Sequence, residues 1–184
     1  MIDKTRLPSA ILLGMVGSIV LFVLLGYRIG VEAQSLSCIP YTTTIEHLKK
    51  PASIRRGDLV LIVLHGEIGH GFDGKPIGKM IAALPGDHIS ITHDQLYVNG
   101  VKLLRPLDIF GPLYKKHGAF DREFTLKTGE ILIVGTEPHS FDGRYWGPAK
   151  ISEIVGTVSP LPFAEPSAQE LAKQTLGPLY LGQS

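Results

Sequence analysis

Cysteine is almost missing. Cys38 stands alone among 184 residues, which excludes an intrachain disulfide and a cysteine-rich zinc site. An excess of charge of either sign is missing too. The 18 lysines and arginines against 17 acidic residues leave a net charge of +1. The basic residues are scattered, with no basic patch interleaved with aromatics, so nucleic acid is not an expected partner. No metal-ligand spacing such as His-Glu-x-x-His occurs. His65, His70 and Asp73 lie among Gly66, Gly69, Gly71 and Gly74 and read as a solvated connection, not as ligands. Neither a metal nor a cofactor is expected, and no internal repeat is present.

What the chain does have is an apolar run at its start. Leu7 to Tyr27 contains no charged residue, with Lys4 and Arg6 before it and Arg28 after it. About 20 helical residues at about 1.5 Å each cross a ~30 Å hydrocarbon core. The run therefore reads as a single membrane-spanning anchor, and Lys4 and Arg6 favour a cytoplasmic N-terminus. Val31-Glu32-Ala33 has the small-x-small look of a secretory cleavage site, but the apolar run exceeds the roughly 7 to 15 residues of such a signal. An uncleaved anchor is the expectation, with the rest of the chain on the extracytoplasmic side.

Beyond the anchor, short apolar runs alternate with turn signals. Leu59 to Leu64 and Ile131 to Val134 read as buried strands, Lys79 to Leu84 as a strand closed by Pro85-Gly86-Asp87, and Ile154 to Val158 as the last strand. Leu96-Tyr97-Val98 runs into Asn99-Gly100, the dipeptide of tight hairpins. Thr42 to Lys50 reads as a short helix ending at Pro51. Ser167 with Glu170 has capping-box spacing, and Gly177 is placed to end that helix. The fold expected is mostly β: coiled antiparallel sheets preceded by one transmembrane helix. Residues 1–30 form the cytoplasmic stub and anchor, 31–160 a catalytic β domain with a loop-rich insertion at 101–129, and 161–184 a tail with a short helix.

One residue is out of place in this pattern. Lys79 heads the apolar strand Lys79-Met80-Ile81-Ala82-Ala83-Leu84. A lysine at a strand edge usually extends its head into water. If Lys79 is buried beside Met80 and Ile81 instead, desolvation favours the free amine, and a buried amine is a general base in search of a nucleophile.

Four segments occur in order: Ser35-x-Ser37-Cys38-x-Pro40, Arg56-Gly57-Asp58 before a strand, Lys79-x-x-x-x-Leu84-Pro85-Gly86-Asp87, and Ser140-x-Asp142-x-Arg144-Tyr145-x-Gly147. Together they resemble the type I signal peptidases. The small size, the single anchor and the Ser140 to Pro148 segment are most similar to the TraF-type peptidases of conjugative transfer systems. The resemblance covers roughly residues 1 to 160. It implies that Ser37 is the nucleophile, Lys79 its general base and Ser140 the hydroxyl that orients the lysine. It also implies that Ser35 and the Ser37 backbone N–H form the oxyanion hole. Asp142 and Arg144 match a structural ion pair behind the site, with Phe141 and Trp146 as packing. A serine hydroxyl is a weak nucleophile until a neutral amine takes its proton, and Ser-Lys is a recognised variant of the triad.

Two positions depart from the family. Gly143 stands where serine is often found. Cys38 follows Ser37 where bacterial signal peptidases have methionine, and in the Ser-x-Pro register of TraF-type enzymes Cys38 itself takes the nucleophile's place. The Ser37 register places a hydroxyl, Ser35, at the oxyanion hole and is the one adopted here, with Cys38 as the alternative nucleophile. The expected activity is that of a membrane-anchored serine endopeptidase that cuts signal peptides or pilin precursors. Its partners would be exported precursors, the membrane and a conjugation apparatus. Cleavage is expected after small residues just outside a hydrophobic segment, at a rate that rises with pH. Two other readings stand beside it: a catalytically silent component of a secretion or conjugation apparatus, and a pilin cyclase or transpeptidase working through the same acyl-enzyme.

Overall fold

The computed structural model describes residues 6–31, 38–66, 74–104, 106–109, 113, 115–137 and 139–181. Its sheets are built where the apolar runs lie. A seven-stranded antiparallel sheet contains β1 (Tyr27–Val31), β2 (Thr43–His47), β3 (Leu59–Val63), β4 (Pro76–Ala83), β9 (Glu130–Val134), β10 (Ala149–Lys150) and β11 (Ile154–Pro160). Their order across the sheet is β1-β2-β11-β3-β4-β9-β10. A four-stranded sheet, ordered β7-β6-β5-β8, contains β5 (His88–Thr92), β6 (Gln95–Val98), β7 (Val101–Leu103) and β8 (Arg122–Thr125).

Apart from Lys79, Gly78 and the end residues Pro76 and Glu130, strands β3, β4 and β9 are apolar, because both of their faces are covered. Leu59, Leu61, Met80, Ala82, Leu132 and Val134 belong to one core, while Val60, Ile62, Ile81, Ile131 and Ile133 belong to another. The first core continues through Ile89, Ile91, Leu96, Val98, Leu103 and Leu126, so the smaller sheet closes over it. Each fully buried Leu or Ile contributes about 1.5–3 kcal/mol. Lys79 sits on one of these buried central strands, opposite Val60.

Three local expectations are corrected. The segment from Thr42 to Lys50 is not a helix. Its β-branched residues Thr43, Thr44 and Ile45 form β2, which is hydrogen-bonded to β1 on one side and β11 on the other. Residues 101–129 are not merely a loop-rich insertion, since they carry β7 and β8 and bury Leu103, Leu107, Ile109 and Leu126.

The third is the boundary placed after the N-terminal run. That run forms α1 (Arg6–Leu24), and Gly26 at φ +84° turns the chain into β1, so Tyr27 pairs with His47 and the boundary expected at residue 30 falls inside a strand. The side chains described along α1 run from Ile11 to Leu24, a rise of roughly 20 Å against the ~30 Å of a bilayer core. Among the described residues no helix is long and apolar enough to cross a membrane. The apolar side chains that α1 does present are bare on all sides. Ile11, Leu12, Leu13, Met15, Val16, Ile19, Val20, Leu21, Val23 and Leu24 are each 50–78% exposed. The Ser18 hydroxyl donates to the Gly14 carbonyl at 2.9 Å, which satisfies the polar group within the helix itself.

The Asn99-Gly100 turn joins β6 to β7 with both residues at positive φ, as this dipeptide favours. At the other end of the chain Ser167 and Glu170 cap α3 (Ala168–Leu176) reciprocally. Its Leu171, Ala172 and Leu176 are buried in the first core.

Candidate active site

Lys79 is completely buried, and its amine is the centre of the site. Nζ lies 2.8 Å from Cys38 Sγ, 2.9 Å from Ser140 Oγ and 3.0 Å from the Phe141 carbonyl oxygen. An unpartnered buried amine costs several kcal/mol, and these three contacts supply what water would have supplied. The partners come from two distant stretches. Cys38 is 41 residues before Lys79, and Ser140 is 61 after it.

The segment that carries Ser140 is held from behind. Asp142 caps the short helix α2 (Gly143–Trp146), and its Oδ1 accepts from the Arg144 backbone N–H at 3.1 Å. The Arg144 side chain grips the same carboxylate in a fork, Nε to Oδ1 at 2.9 Å and Nη2 to Oδ2 at 2.8 Å. The Gly135 backbone N–H donates to Oδ2 at 2.8 Å and ties α2 to the end of β9. Burial pushes the Asp142 carboxyl up, but the charges and hydrogen bonds of Arg144, the Lys79 charge and the Gly135 N–H outweigh it and hold the carboxyl below its usual range. Burial likewise pulls the Arg144 guanidinium down, and Asp142 more than reverses this.

Glycine is required at two points here. A Cβ at Gly143 would stand 2.7 Å from the Ile133 carbonyl oxygen, so the position that departs from the family has no room for a side chain. A Cβ at Gly135 would collide with the Ser140 side chain and stand 2.9 Å from the Cys38 carbonyl oxygen. That carbonyl accepts from the Thr136 N–H at 2.9 Å. The end of β9 thus fixes both Cys38 and Ser140.

Of the residues singled out in the sequence, the structure brings Lys79, Cys38, Ser140, Asp142 and Arg144 together. Ser35 and Ser37 lie outside the described residues. Phe141 and Trp146 pack at the edge of the core, with the Phe141 and Tyr145 rings 5.7 Å apart.

Three supports were not anticipated. Arg122 on β8 donates to the Tyr145 carbonyl at 3.0 Å, Gly143 at 3.1 Å and Arg144 at 3.0 Å, gathering three carbonyls of α2. Nothing in its local sequence marks it. The Tyr145 hydroxyl accepts from the Asp108 N–H at 3.0 Å. Arg56 clamps Asp87 through Nη2 to Oδ1 at 2.5 Å and Nε to Oδ2 at 3.2 Å, and the Leu84 N–H donates to Asp87 Oδ2 at 2.7 Å. The second and third segments of the family pattern are therefore one unit, locking the turn that ends the lysine's strand. Burial pushes the Asp87 carboxyl up, and the Leu84 N–H, Arg56 and Asn99 together hold it below its usual range.

Residues 4–161 match the family described as signal peptidase, peptidase S26. The chain belongs to this family. Signal peptidase I V of Bacillus subtilis is 32% identical over 117 residues, 58% of this chain and 66% of the relative. The plasmid transfer protein TraF of Escherichia coli is 34% identical over 107 residues, 52% of this chain and 58% of that protein. The matches thus span about three fifths to two thirds of these relatives' own length. A crystal structure of a signal peptidase I from Enterococcus faecalis is 23% identical, covers 57% of this chain and 96% of its own, and superposes with a TM-score of 0.36. Membership in the signal peptidase family agrees with the resemblance read from the four segments, and the antiparallel, mostly β architecture agrees with the fold expected from them.

Proposed function

We propose that this protein is a membrane-anchored endopeptidase that cleaves exported precursor proteins through an acyl-enzyme, with Lys79 as general base. The observation that carries this is the fully buried Lys79 amine, bonded at once to a side chain of the Ser35–Cys38 segment and to Ser140. Lys79 takes the proton of the attacking group. Ser140 and the Phe141 carbonyl hold the amine in position, and the Asp142–Arg144 pair holds Ser140. Backbone N–H groups of the 35–38 segment are the oxyanion donors, a contribution of about 3–4 kcal/mol per donor in other hydrolases.

Similarity to a plasmid transfer protein supports a role in conjugative transfer, with a pilin-type precursor as substrate. The bare apolar surface of α1 supports anchoring in the cytoplasmic membrane, with the sheets on the extracytoplasmic side. β1 follows that helix after a two-residue turn, which keeps the site near the bilayer and selects precursors cut just outside a hydrophobic segment.

The test is cleavage by the full chain in proteoliposomes of a peptide with an apolar segment followed by a small-x-small site. Mass spectrometry should find one cut beside that segment, none with Lys79→Ala, and none when the site is moved about twenty residues away. Equal cutting by wild type and Lys79→Ala would overturn the reading.

A further inference from the structure

We infer that the nucleophile is the thiol of Cys38, making this a Cys/Lys peptidase within a family of serine enzymes. The inference rests on the acyl-enzyme reading above and names the atom that carries the acyl group. Sγ of Cys38 lies 2.8 Å from the Lys79 amine, and the amine's two other partners explain why that contact is a proton path. A carbonyl oxygen only accepts, so the Phe141 oxygen at 3.0 Å takes one N–H. Ser140 Oγ at 2.9 Å takes the second. A neutral amine has two N–H groups and one lone pair, and its fourth direction is its own Cε. In the neutral form that acts as base, the direction left for the lone pair is the one toward Sγ, where it would take the S–H proton. Among the described residues, these three partners fill the free directions of Nζ.

The rest of Cys38 is arranged for the same end. Its carbonyl is pinned by the Thr136 N–H at 2.9 Å, and the next residue, Ile39, is buried in the core, so the thiol cannot drift from the amine. Cys38 itself is only partly buried, in contrast to Lys79. A structural cysteine ordinarily packs as a small apolar group, whereas a reactive one is partly exposed beside a basic group.

The chemistry balances without any further reactant. Lys79 takes the S–H proton as the sulfur attacks the scissile carbonyl carbon. The S–C bond forms, and the carbonyl π electrons move onto oxygen. Collapse of that oxyanion breaks the C–N bond, and the departing amine takes the proton from Lys79, leaving a thioester on Cys38. Water then attacks the thioester carbon, giving its proton to Lys79, which returns it to the departing sulfur. Ser140 hydrogen-bonds the amine throughout and exchanges no atom with the substrate.

Two measurements test this. The first uses the full chain and the small-x-small peptide, quenched in acid and mapped by mass spectrometry. The acyl group should sit on Cys38 and be released by neutral hydroxylamine, as a thioester is. Cys38→Ala should lose at least about a thousandfold in rate with an unchanged melting temperature. Cys38→Ser should give slow cleavage through an ester that resists hydroxylamine. An acyl group on Ser37, or full activity in Cys38→Ala, overturns the assignment and leaves the peptidase reading intact. The second needs no substrate, because Cys38 is the sole cysteine. Iodoacetamide should alkylate the wild type at neutral pH at least about tenfold faster than Lys79→Met. If no precursor is cut, the peptidase reading fails. The alkylation still decides the pairing, since equal rates in the two proteins overturn it.

Discussion

A side chain at position 135 and the hydroxymethyl group of Ser140 would occupy the same space. Gly135 leaves that space open at the end of β9, and Ser140 fills it within reach of the Lys79 amine. Gly135→Ala should therefore push Ser140 away from Nζ. A displacement on the order of 1 Å costs about a hundredfold in rate. Turnover and a thermal melt on the same sample check it. Gly135→Ala combined with Ser140→Gly should recover part of the melting temperature but not the activity, because the clash with Ser140 is gone, the 2.9 Å contact with the Cys38 carbonyl remains and the hydroxyl is lost.

Lys79 serves chemistry at the expense of stability. Replacing it with methionine keeps most of the volume and removes a buried amine, a change that is often neutral or stabilising by about 1–4 kcal/mol for buried ionic groups. Lys79→Met should retain or raise the melting temperature while peptidase activity falls by about a thousandfold or more. A melting temperature lowered in parallel with activity would mean that the lysine is structural.

Asp142 and Arg144 behave in the opposite way. Asp142 is fully buried, so Asp142→Asn leaves the guanidinium without its counter-charge and should destabilise by about 3–5 kcal/mol. The carboxyls of Asp142 and Asp87 are both held below their usual range. Their contribution is therefore complete above the unfolded carboxyl value of about 4 and disappears as pH falls through the lower folded values. Wild-type stability should drop steeply below about pH 4, and the drop should be shallower in Asp142→Asn. Denaturant midpoints measured between acid and neutral pH will show whether it is.

Arg122 joins the smaller sheet to the catalytic segment. Its guanidinium holds three carbonyls of α2, and no other described side chain donates to them. Hydrogen bonds from a charged group contribute about 1.5–3 kcal/mol each, less when several share one group. Arg122→Leu should loosen residues 140 to 147 and lower activity without unfolding either sheet. Hydrogen exchange should rise at Tyr145 to Gly147 and remain unchanged in β3 and β4.

Much of this protein is written locally. Apolar runs of four to six residues specified β3, β4 and β9, because a run without alternation has to be buried on both faces. Asn99-Gly100 specified its hairpin because few other residues accept positive φ twice in succession. The order of four short segments was enough to mark the family and to set Lys79, Ser140, Asp142 and Arg144 apart from the rest.

What needed the tertiary structure was everything that depends on a partner distant in the chain. Thr43 to His47 is a strand only because β1 and β11 flank it, and Arg122 matters only because the smaller sheet folds against α2. Arg56 finds Asp87 across 31 residues. The contact of Cys38 with Lys79 belongs to the same class. Local sequence places two adjacent nucleophile candidates before Pro40 and cannot say which one meets the amine. Each step along the chain changes the direction of a side chain, and the groups that hold Cys38 beside the amine, the Thr136 N–H and the space left at Gly135, come nearly a hundred residues later.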